Sequence, residues 1–294
     1  LTQEIVREIN GGALVAVYAG HGLEHSFDRA RFRGQHYSIG SVPDLERIDV
    51  ANGSPLFISL TCLTGDFGEQ HQRSIAETML LRPRGPVAVF ASSGVSHPYP
   101  NLLYARLLIE GLLGERAPTV GDAVLRAKQQ LPDSSMPFAQ LFVPGDHQEI
   151  KESHLHLYNL LGDPALALRL PDALSVRLPP EGVAAGSTFD VQIQGVPAEA
   201  AYTVTLETER VALKPGITGP ERLDELPLDE AFAAMEKNHA LANDKVLATA
   251  TGRVKGAADK VTLTAPKEPG RYVVKVMSQA ARGVSVGHAR FTVQ

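Results

Sequence analysis

The sequence has little of several features by which common classes of protein are recognised. Among its 294 residues there is one cysteine and no tryptophan. A single cysteine excludes an internal disulfide bond, and it excludes a zinc or iron–sulfur site built from several cysteines. Lys and Arg number 28 against 33 Asp and Glu, a net charge of −5. The chain therefore lacks the basic excess that is typical of nucleic-acid-binding proteins.

Long apolar segments are absent as well. The longest apolar runs, such as 13–19, are far shorter than the roughly 20 residues that a membrane-spanning helix requires. The first residues, Leu-Thr-Gln-Glu, place no basic segment before an apolar stretch and therefore do not form a signal peptide. Because the chain also begins without Met, we expect a processed fragment from which an upstream signal could have been removed.

A change of pattern near residue 171 divides the sequence, and at roughly 150 residues per domain its length predicts about two domains. In residues 1–170, apolar runs typical of buried strands alternate with helical segments. The runs are Ala13–Tyr18, Ser54–Thr61 and Pro86–Ala91, and the helical segments are Thr2–Asn10, Arg73–Leu81, Pro100–Leu113 and Val120–Leu131. This order predicts an α/β domain whose mostly parallel sheet is covered by helices on both faces.

Residues 171–294 have a different texture. Apolar and polar side chains alternate along 189–194 and 202–207, with turn residues between the runs. A period of two residues predicts an all-β antiparallel sandwich in which each sheet has one solvated face. Leu228–Leu241 departs from this pattern, because its apolar residues have helical spacing after Pro227. We expect a helical insertion there.

Two chemically capable residues follow buried strands of the first domain. His21 lies between Gly20 and Gly22 after the first strand, and Cys62 follows the second. Ligands of open α/β sheets bind at the carboxyl ends of the strands, and an imidazole can activate a thiol. Taken alone, a cysteine that ends an apolar strand is more often a packing residue than a nucleophile. The residues by themselves leave both interpretations open.

Several separate blocks resemble the gingipain-type cysteine peptidases, in the order of that family. They are Tyr18-Ala19-Gly20-His21-Gly22, Leu60-Thr61-Cys62-Leu63-Thr64-Gly65-Asp66-Phe67, Ser74-Ile75-Ala76-Glu77, Gly85-Pro86-Val87-Ala88-Val89 and Asn159-Leu160-Leu161-Gly162-Asp163-Pro164-Ala165. Gingipain-like peptidases belong with caspases, legumains and separases. The resemblance therefore implies a caspase-like α/β catalytic domain over 1–170 and an immunoglobulin-like β domain over 171–294.

The resemblance also implies roles for individual residues. Cys62 would be the nucleophile of an endopeptidase, and His21 would protonate the leaving amine. The backbone N–H groups of Gly22 and Cys62 would bind the oxyanion, an interaction typically worth a few kcal/mol per donor. Ser92, Ser93 and Gly94, in the loop 92–98, would line the pocket for the residue before the cut. Asp66 and Glu77 match family positions, and we expect structural roles for both.

A caspase-like domain has strands before the one that ends in the histidine, whereas ten residues precede Gly11 here. We therefore expect proteolytic maturation, with a companion N-terminal chain that stays bound and completes the sheet, since a sheet without those strands would expose an unpaired edge. The resemblance favours a secreted or cell-surface location, although the lack of disulfide bonds also fits the cytoplasm.

The remaining polar features have more ordinary interpretations. His97 is expected in a surface loop, and Arg29, Arg31 and Arg33 in a solvated loop. His154 and His156 could share one face of a strand, but no carboxylate pattern accompanies them, so we do not expect zinc. The proposed chemistry requires no cofactor, and structural calcium, bound through oxygen ligands, would be compatible with the family.

Two other function classes fit parts of the sequence. One is a peptidase-like scaffold without activity whose β domain binds a protein partner, and the presence of both His21 and Cys62 argues against it. The other is an α/β hydrolase, but no Gly-x-Ser-x-Gly motif occurs within residues 1–170, where the α/β pattern lies.

Overall fold

The computed structural model describes residues 2–68, 71–179, 182–197, 199–212, 216–254, 258–280 and 283–294. The chain divides into two compact units, residues 1–170 and residues 171–294. None of the helices in the described ranges is both long enough and apolar enough to cross a bilayer.

The first unit combines six strands with seven helices and one π-helical turn among the described residues. The strands are β1 (Val15–Ala19), β2 (Arg29–Phe32), β3 (Gln35–Ser38), β4 (Leu56–Leu60), β5 (Ala88–Ser92) and β6 (Tyr158–Gly162). The helices are α1 (Thr2–Gly11), α2 (Val42–Leu45), α3 (Ile75–Leu80), α4 (Pro98–Ile109), α5 (Val120–Gln130), α6 (Pro137–Gln140) and α7 (His147–Leu157). The π-helical turn, Glu110–Gly114, continues α4.

Four strands form the central sheet in the order β1-β4-β5-β6. β1 pairs with β4 and β4 pairs with β5 in parallel, whereas β6 runs antiparallel to β5. At the carboxyl end of β1, Ala19 is paired with Leu60 of β4. The mixed sheet with its helices confirms the predicted α/β class of this unit.

Two apolar cores lie on opposite faces of this sheet. All five residues of β4 and all five of β5 are buried. Their side chains alternate: Leu56, Ile58 and Phe90 belong to one core and Phe57 and Val89 to the other. The first core is completed mainly by residues of α4 and α5, and the second by residues of α1, α2 and α3. Because both faces are covered, β4 and β5 are continuous apolar runs.

β1, the outer strand of the parallel part of the sheet, is less buried than β4 and β5. Its five residues are exposed or half-buried, and Val17 is 50% exposed. Among the described residues, β1 has a single neighbouring strand, β4.

The second unit contains two sheets with a shared core. Its strands are β7 (Asp172–Ala173), β8 (Ser175–Arg177), β9 (Thr188–Gln194), β10 (Ala201–Thr208), β11 (Val246–Arg253), β12 (Ala258–Thr264), β13 (Gly270–Ala280) and β14 (Gly283–Val293). The sheets have the orders β11-β10-β13-β14-β7 and β12-β9-β8. Their pairs are antiparallel except for the short pairing of β14 with β7. Val191 and Ile193 of one sheet and Val204 and Val274 of the other belong to one buried cluster.

Helices α8 (Pro220–Glu225) and α9 (Leu228–Asn243) lie between β10 and β11. The expected helix over Leu228–Leu241 is therefore present and extends two residues further.

Three local expectations are corrected by the structure. His154 and His156 lie on helix α7, not on a strand. The Asp146 carboxylate starts that helix by accepting hydrogen bonds from the N–H groups of Gln148 and Glu149. Arg29 and Arg31 lie on a β-hairpin formed by β2 and β3 rather than in a loop, and their side chains are exposed. The helix expected over Pro100–Leu113 begins at Pro98 and changes to π-helical geometry at Glu110.

Candidate active site

His21 and Cys62 follow neighbouring parallel strands at the same level of the sheet. Ala19 and Leu60 form the last registered pair of β1 and β4, and each candidate residue stands two positions beyond its member of that pair. The backbone N–H of Gly20 still donates to the carbonyl of Leu60, at 3.4 Å. Both residues therefore lie at the edge of the sheet where ligands of α/β folds bind.

Gly22 fixes the close approach of the two segments. A Cβ atom at this position would lie 2.7 Å from Thr64 Cγ2, 2.8 Å from Thr61 Oγ1 and 3.0 Å from the carbonyl oxygen of Cys62. The glycine after the histidine is thus packed directly against the loop that carries the cysteine. Only a residue without a side chain fits there unless the loop moves.

The backbone of His21 is held, while its side chain is exposed. The Tyr18 hydroxyl donates a hydrogen bond to the His21 carbonyl oxygen at 3.2 Å. Burial raises the pKa of Tyr18 above its usual value, so the phenol remains a donor at neutral pH. The imidazole of His21 is left open to solvent.

Cys62 is half-buried, and its sulfur faces the loop after β5. The N–H of Ser96 donates to Cys62 Sγ at 3.3 Å, and the Ser96 hydroxyl lies 3.8 Å from the same sulfur. The thiol can in turn donate to the carbonyl oxygen of Ser96, 3.4 Å away. Within the described residues, all hydrogen-bond contacts of Cys62 Sγ are to Ser96, and none joins the sulfur to His21.

A cluster of buried hydroxyl groups underlies the cysteine loop. Ser59, Thr61 and Thr64 are each fully buried. The Thr64 hydroxyl lies 2.8 Å from that of Ser59 and 2.8 Å from that of Thr61. Leu63 has a left-handed backbone with φ of 59°, and its N–H donates to the carbonyl of Gly94. These contacts fix the turn that presents Cys62.

Ser96 is anchored from behind by two buried residues. Asn101 of α4 donates from Nδ2 to Ser96 Oγ at 3.0 Å. The Tyr158 hydroxyl of β6 donates to Asn101 Oδ1 at 2.8 Å. Tyr158 is fully buried, and this burial raises its pKa far above the usual value. Its phenol therefore stays protonated and remains a donor.

His97 and His154 join the same loop to helix α7. The His97 N–H donates to His154 Nε2 at 2.7 Å. His154 Nδ1 lies 2.7 Å from the carbonyl of Ile150, and because a carbonyl only accepts, Nδ1 carries the proton. Burial lowers the pKa of His154, which keeps Nε2 free to accept. The ring of His97 accepts the Tyr99 N–H at 3.1 Å and so caps α4. Both histidines thus have structural contacts.

The expected pocket residues lie beside the cysteine loop, but not all of them reach solvent. Ser92 is fully buried and its hydroxyl donates to the carbonyl of Gly94, so it does not line an open pocket. Ser93 and Gly94 are half-buried. The Ser93 hydroxyl donates to the carbonyl of Leu157, and a Cβ on Gly94 would lie 2.6 Å from Leu157 Cδ2.

The two carboxylates near the site make local structural contacts. Asp66 accepts the Gly68 N–H at 2.9 Å. Glu77 accepts from the N–H and the hydroxyl of Ser74, and Ser74 caps helix α3 in return. Neither carboxylate contacts His21 or Cys62 in the described part of the chain.

Metal binding receives no support from the described residues, which contain no group of three or more His, Cys, Asp or Glu side chains that could hold an ion. His156 is exposed and His154 is occupied by hydrogen bonds, so the two do not form a shared site.

Sequence reasoning did not find the residues that surround the sulfur. Ser96 lies in the loop 92–98, but no sequence pattern predicts a role for it, and none predicts a role for Asn101 or Tyr158. The one local signal for Asn101 is its polarity beside the leucines of helix α4. Tyr158 directly precedes the Asn159 block, with no pattern that predicts its partner.

An α/β unit with a histidine and a cysteine at adjacent strand ends has the two side chains that a cysteine peptidase uses. Residues 1–169 match the model of peptidase family C25. The match covers more than half of the chain, and the chain belongs to peptidase family C25. The expected membership among gingipain-type cysteine peptidases is therefore confirmed.

The chain is also similar to individual proteins. Gingipain R2 of Porphyromonas gingivalis (strain ATCC BAA-308 / W83) is 22% identical over 201 residues, which cover 64% of this chain and 24% of the relative. The chain thus matches about a quarter of the length of that curated relative. The crystal structure of the Arg-specific cysteine proteinase gingipain R is 18% identical with a TM-score of 0.44, covering 100% of this chain and 56% of that one. A complex of Porphyromonas gingivalis RgpB pro- and mature domains has 18% identity, a TM-score of 0.43 and coverages of 100% and 57%.

Proposed function

We propose that this chain is a cysteine endopeptidase that hydrolyses peptide bonds through His21 and Cys62. One observation carries the proposal: the two residues stand at equal distance beyond the paired ends of β1 and β4. The contact of Gly22 with the cysteine loop supports it, because it keeps the two segments together. Membership of peptidase family C25 supports the same reaction.

In this reaction, the thiolate of Cys62 attacks the carbonyl carbon of the scissile bond. A carbon–sulfur bond forms, and the carbonyl oxygen takes the negative charge. Cleavage of the carbon–nitrogen bond requires a proton on the leaving amine, which His21 supplies. Water then hydrolyses the thioester and releases the acid product and the free thiol. No cofactor is needed for either step.

The backbone N–H groups of Gly22 and Cys62 are the proposed donors to the oxyanion. Among the described residues, neither group has a protein acceptor. Unpaired N–H groups at a partly exposed site are suited to stabilise a charge that develops in the transition state. The imidazole of His21 is exposed and is therefore accessible to a peptide.

The rest of the site is proposed on weaker contacts. Ser93 and Gly94 would form part of the pocket for the residue before the cut, since both are partly exposed beside the cysteine loop. The two-sheet unit over 171–294 would be an immunoglobulin-like domain. A bound companion N-terminal chain is supported by β1, which is half-exposed and has one neighbouring strand among the described residues. Maturation by proteolysis would supply such a chain.

A comparison of four proteins tests the proposed pair: the parent chain, Cys62→Ala, His21→Ala and the control His36→Ala. His36 is an exposed histidine on the β2–β3 hairpin, away from the paired strand ends. Each protein is incubated with a fluorogenic peptide library, and the products are identified by mass spectrometry. We expect Cys62→Ala to lose at least about 10³-fold in rate, His21→Ala to lose a large part, and His36→Ala to match the parent.

Labelling with iodoacetamide provides a second readout. Because the chain has one cysteine, any adduct is assigned to Cys62 without mapping. The parent should label quickly at neutral pH and His21→Ala more slowly. Peptide cleavage that persists in Cys62→Ala would refute the proposal. Rapid labelling without cleavage of any library peptide would favour the inactive scaffold instead.

A further inference from the structure

Ser96 presents two hydrogen-bond donors to the sulfur of Cys62. Its backbone N–H lies 3.3 Å from Sγ, and its hydroxyl oxygen lies 3.8 Å from Sγ. A protonated thiol makes a different contact with the same residue, because S–H can donate to the Ser96 carbonyl at 3.4 Å. Loss of the thiol proton therefore removes the donation to this carbonyl and leaves the two donors facing a negative sulfur. Hydrogen bonds to an ionised partner are roughly twice as strong as neutral ones.

The direction of the Ser96 hydroxyl is set by the residues behind it. Asn101 Nδ2 donates to Ser96 Oγ at 3.0 Å, so the hydroxyl hydrogen is available for the sulfur. The Asn101 amide is oriented by the Tyr158 hydroxyl, which donates to its Oδ1 at 2.8 Å and also lies 3.4 Å from the carbonyl oxygen of Thr61 and 3.5 Å from Ser96 Oγ. Asn101 and Tyr158 are both buried. Hydrogen bonds are thus donated in one direction, from Tyr158 to Asn101, from Asn101 to Ser96 and from Ser96 to Cys62.

We propose that Ser96 is a further catalytic residue that stabilises the thiolate of Cys62 through its N–H and its hydroxyl, and that Asn101 and Tyr158 are positioning residues that orient it. This inference rests on the function proposed above and adds a set of hydrogen bonds that stabilise the nucleophile. The proton that leaves Cys62 passes to His21 or to water, and no further reactant is involved.

The rate of iodoacetamide labelling as a function of pH tests this role, because the reagent reacts with the thiolate. The proteins are the parent, Ser96→Ala, Ser96→Thr, Asn101→Leu and the control Asn159→Leu. Asn159 anchors the same loop through Ser93 Oγ and the carbonyl of Leu157 but does not touch Ser96. Absorbance of the thiolate near 240 nm provides the same midpoint without a reagent.

Ser96→Ala should raise the pH midpoint of labelling by about one unit, which follows from the loss of a hydrogen bond to a charged group. At pH values below both midpoints this is a tenfold loss in rate, whereas the plateau at high pH stays close to that of the parent. Asn101→Leu should raise the midpoint in the same direction. Ser96→Thr keeps the hydroxyl and should restore the parent midpoint, and Asn159→Leu should not change it.

Equal midpoints for Ser96→Ala and the parent would overturn the inference, as would an equally large shift in Asn159→Leu. The labelling needs no substrate peptide, so the two proposals fail separately. A chain without peptidase activity whose midpoint still depends on Ser96 would refute the proposed function alone. A peptidase that loses activity in Cys62→Ala, but whose pH midpoint of labelling does not change on substitution of Ser96, would refute this inference alone.

Discussion

Substitution of Gly22 by Ala tests whether close packing holds the two halves of the site together. The added Cβ would lie 2.7 Å from Thr64 Cγ2, whereas carbon atoms in contact are ordinarily about 3.5–4.0 Å apart. The Thr64 methyl group must therefore retreat by about 1 Å. Thr64 cannot move freely, because it is fully buried and its hydroxyl contacts both Ser59 and Thr61.

Overpacking of this kind costs about 1–3 kcal/mol. For a unit of this size, that corresponds to a fall in melting temperature of roughly 2–4 °C for each kcal/mol. The alanine keeps its backbone N–H, so the proposed oxyanion donor remains. A fall in peptidase activity beyond the loss of folded protein would therefore reflect displacement of Cys62 relative to His21.

Hydrogen exchange followed by mass spectrometry measures the effect locally. Peptides that cover β1 and β4 should exchange faster in Gly22→Ala than in the parent. The matched control is Gly11→Ala, at the end of α1, where a Cβ would meet nothing within 4 Å; its exchange should equal that of the parent or be slower. If Gly22→Ala retains the parent's exchange, melting temperature and activity, the packing argument is wrong.

Two further predictions concern pH and the companion chain. Burial lowers the pKa of His154 in the folded protein. The folded protein therefore keeps a neutral imidazole, whereas the unfolded chain takes up a proton below about pH 6.5. The contribution of His154 to the stability of the first unit should be complete above that pH and should be lost as the pH falls through it. Urea unfolding between pH 8 and 5 should show this slope in the parent and less of it in His154→Gln, and identical slopes would contradict the assignment. If a companion chain covers β1, native mass spectrometry of the protein from its natural source should find a second polypeptide whose presence slows exchange at Val17. A monodisperse, active chain without any companion would contradict this proposal.

The central strands could be predicted from the sequence because their environment is uniform. Every residue of β4 and β5 is buried, so each strand is a continuous apolar run that needs no knowledge of its neighbours. Parallel strands place their carboxyl ends at one edge, and this local rule was enough to bring His21 and Cys62 to the same region. The orientation of β6, antiparallel to β5, did not follow from any local pattern.

The contacts of the sulfur could not be predicted in the same way. Tyr158 and Asn101 are 57 residues apart in the sequence, and their hydrogen bond depends on how helix α4 packs on the sheet. His154 illustrates the limit more sharply. The order His-Leu-His at 154–156 fits a strand by alternation, but the Asp146 cap and the contact of His154 with Ile150 belong to a helix. A three-residue pattern is too short to separate the two periods.

Three glycines lie where the segments of the site pack against one another, and they explain why short blocks of sequence predict much of the site. A Cβ added at Gly22 would contact the cysteine loop, and one added at Gly65 would lie 2.8 Å from the Cβ of Ala91 in β5. A Cβ added at Gly94 would contact the side chain of Leu157. In each case the neighbouring atoms leave no room for a Cβ, so the position of Cys62 depends on glycines within a few positions of the strand ends. Orientation of the sulfur depends instead on the hydroxyl and amide groups around Ser96, which reach it from separate elements. Substitution of the glycines should therefore disturb both folding and reactivity, whereas loss of the Ser96 hydroxyl should change the ionisation of the thiol and leave the architecture intact.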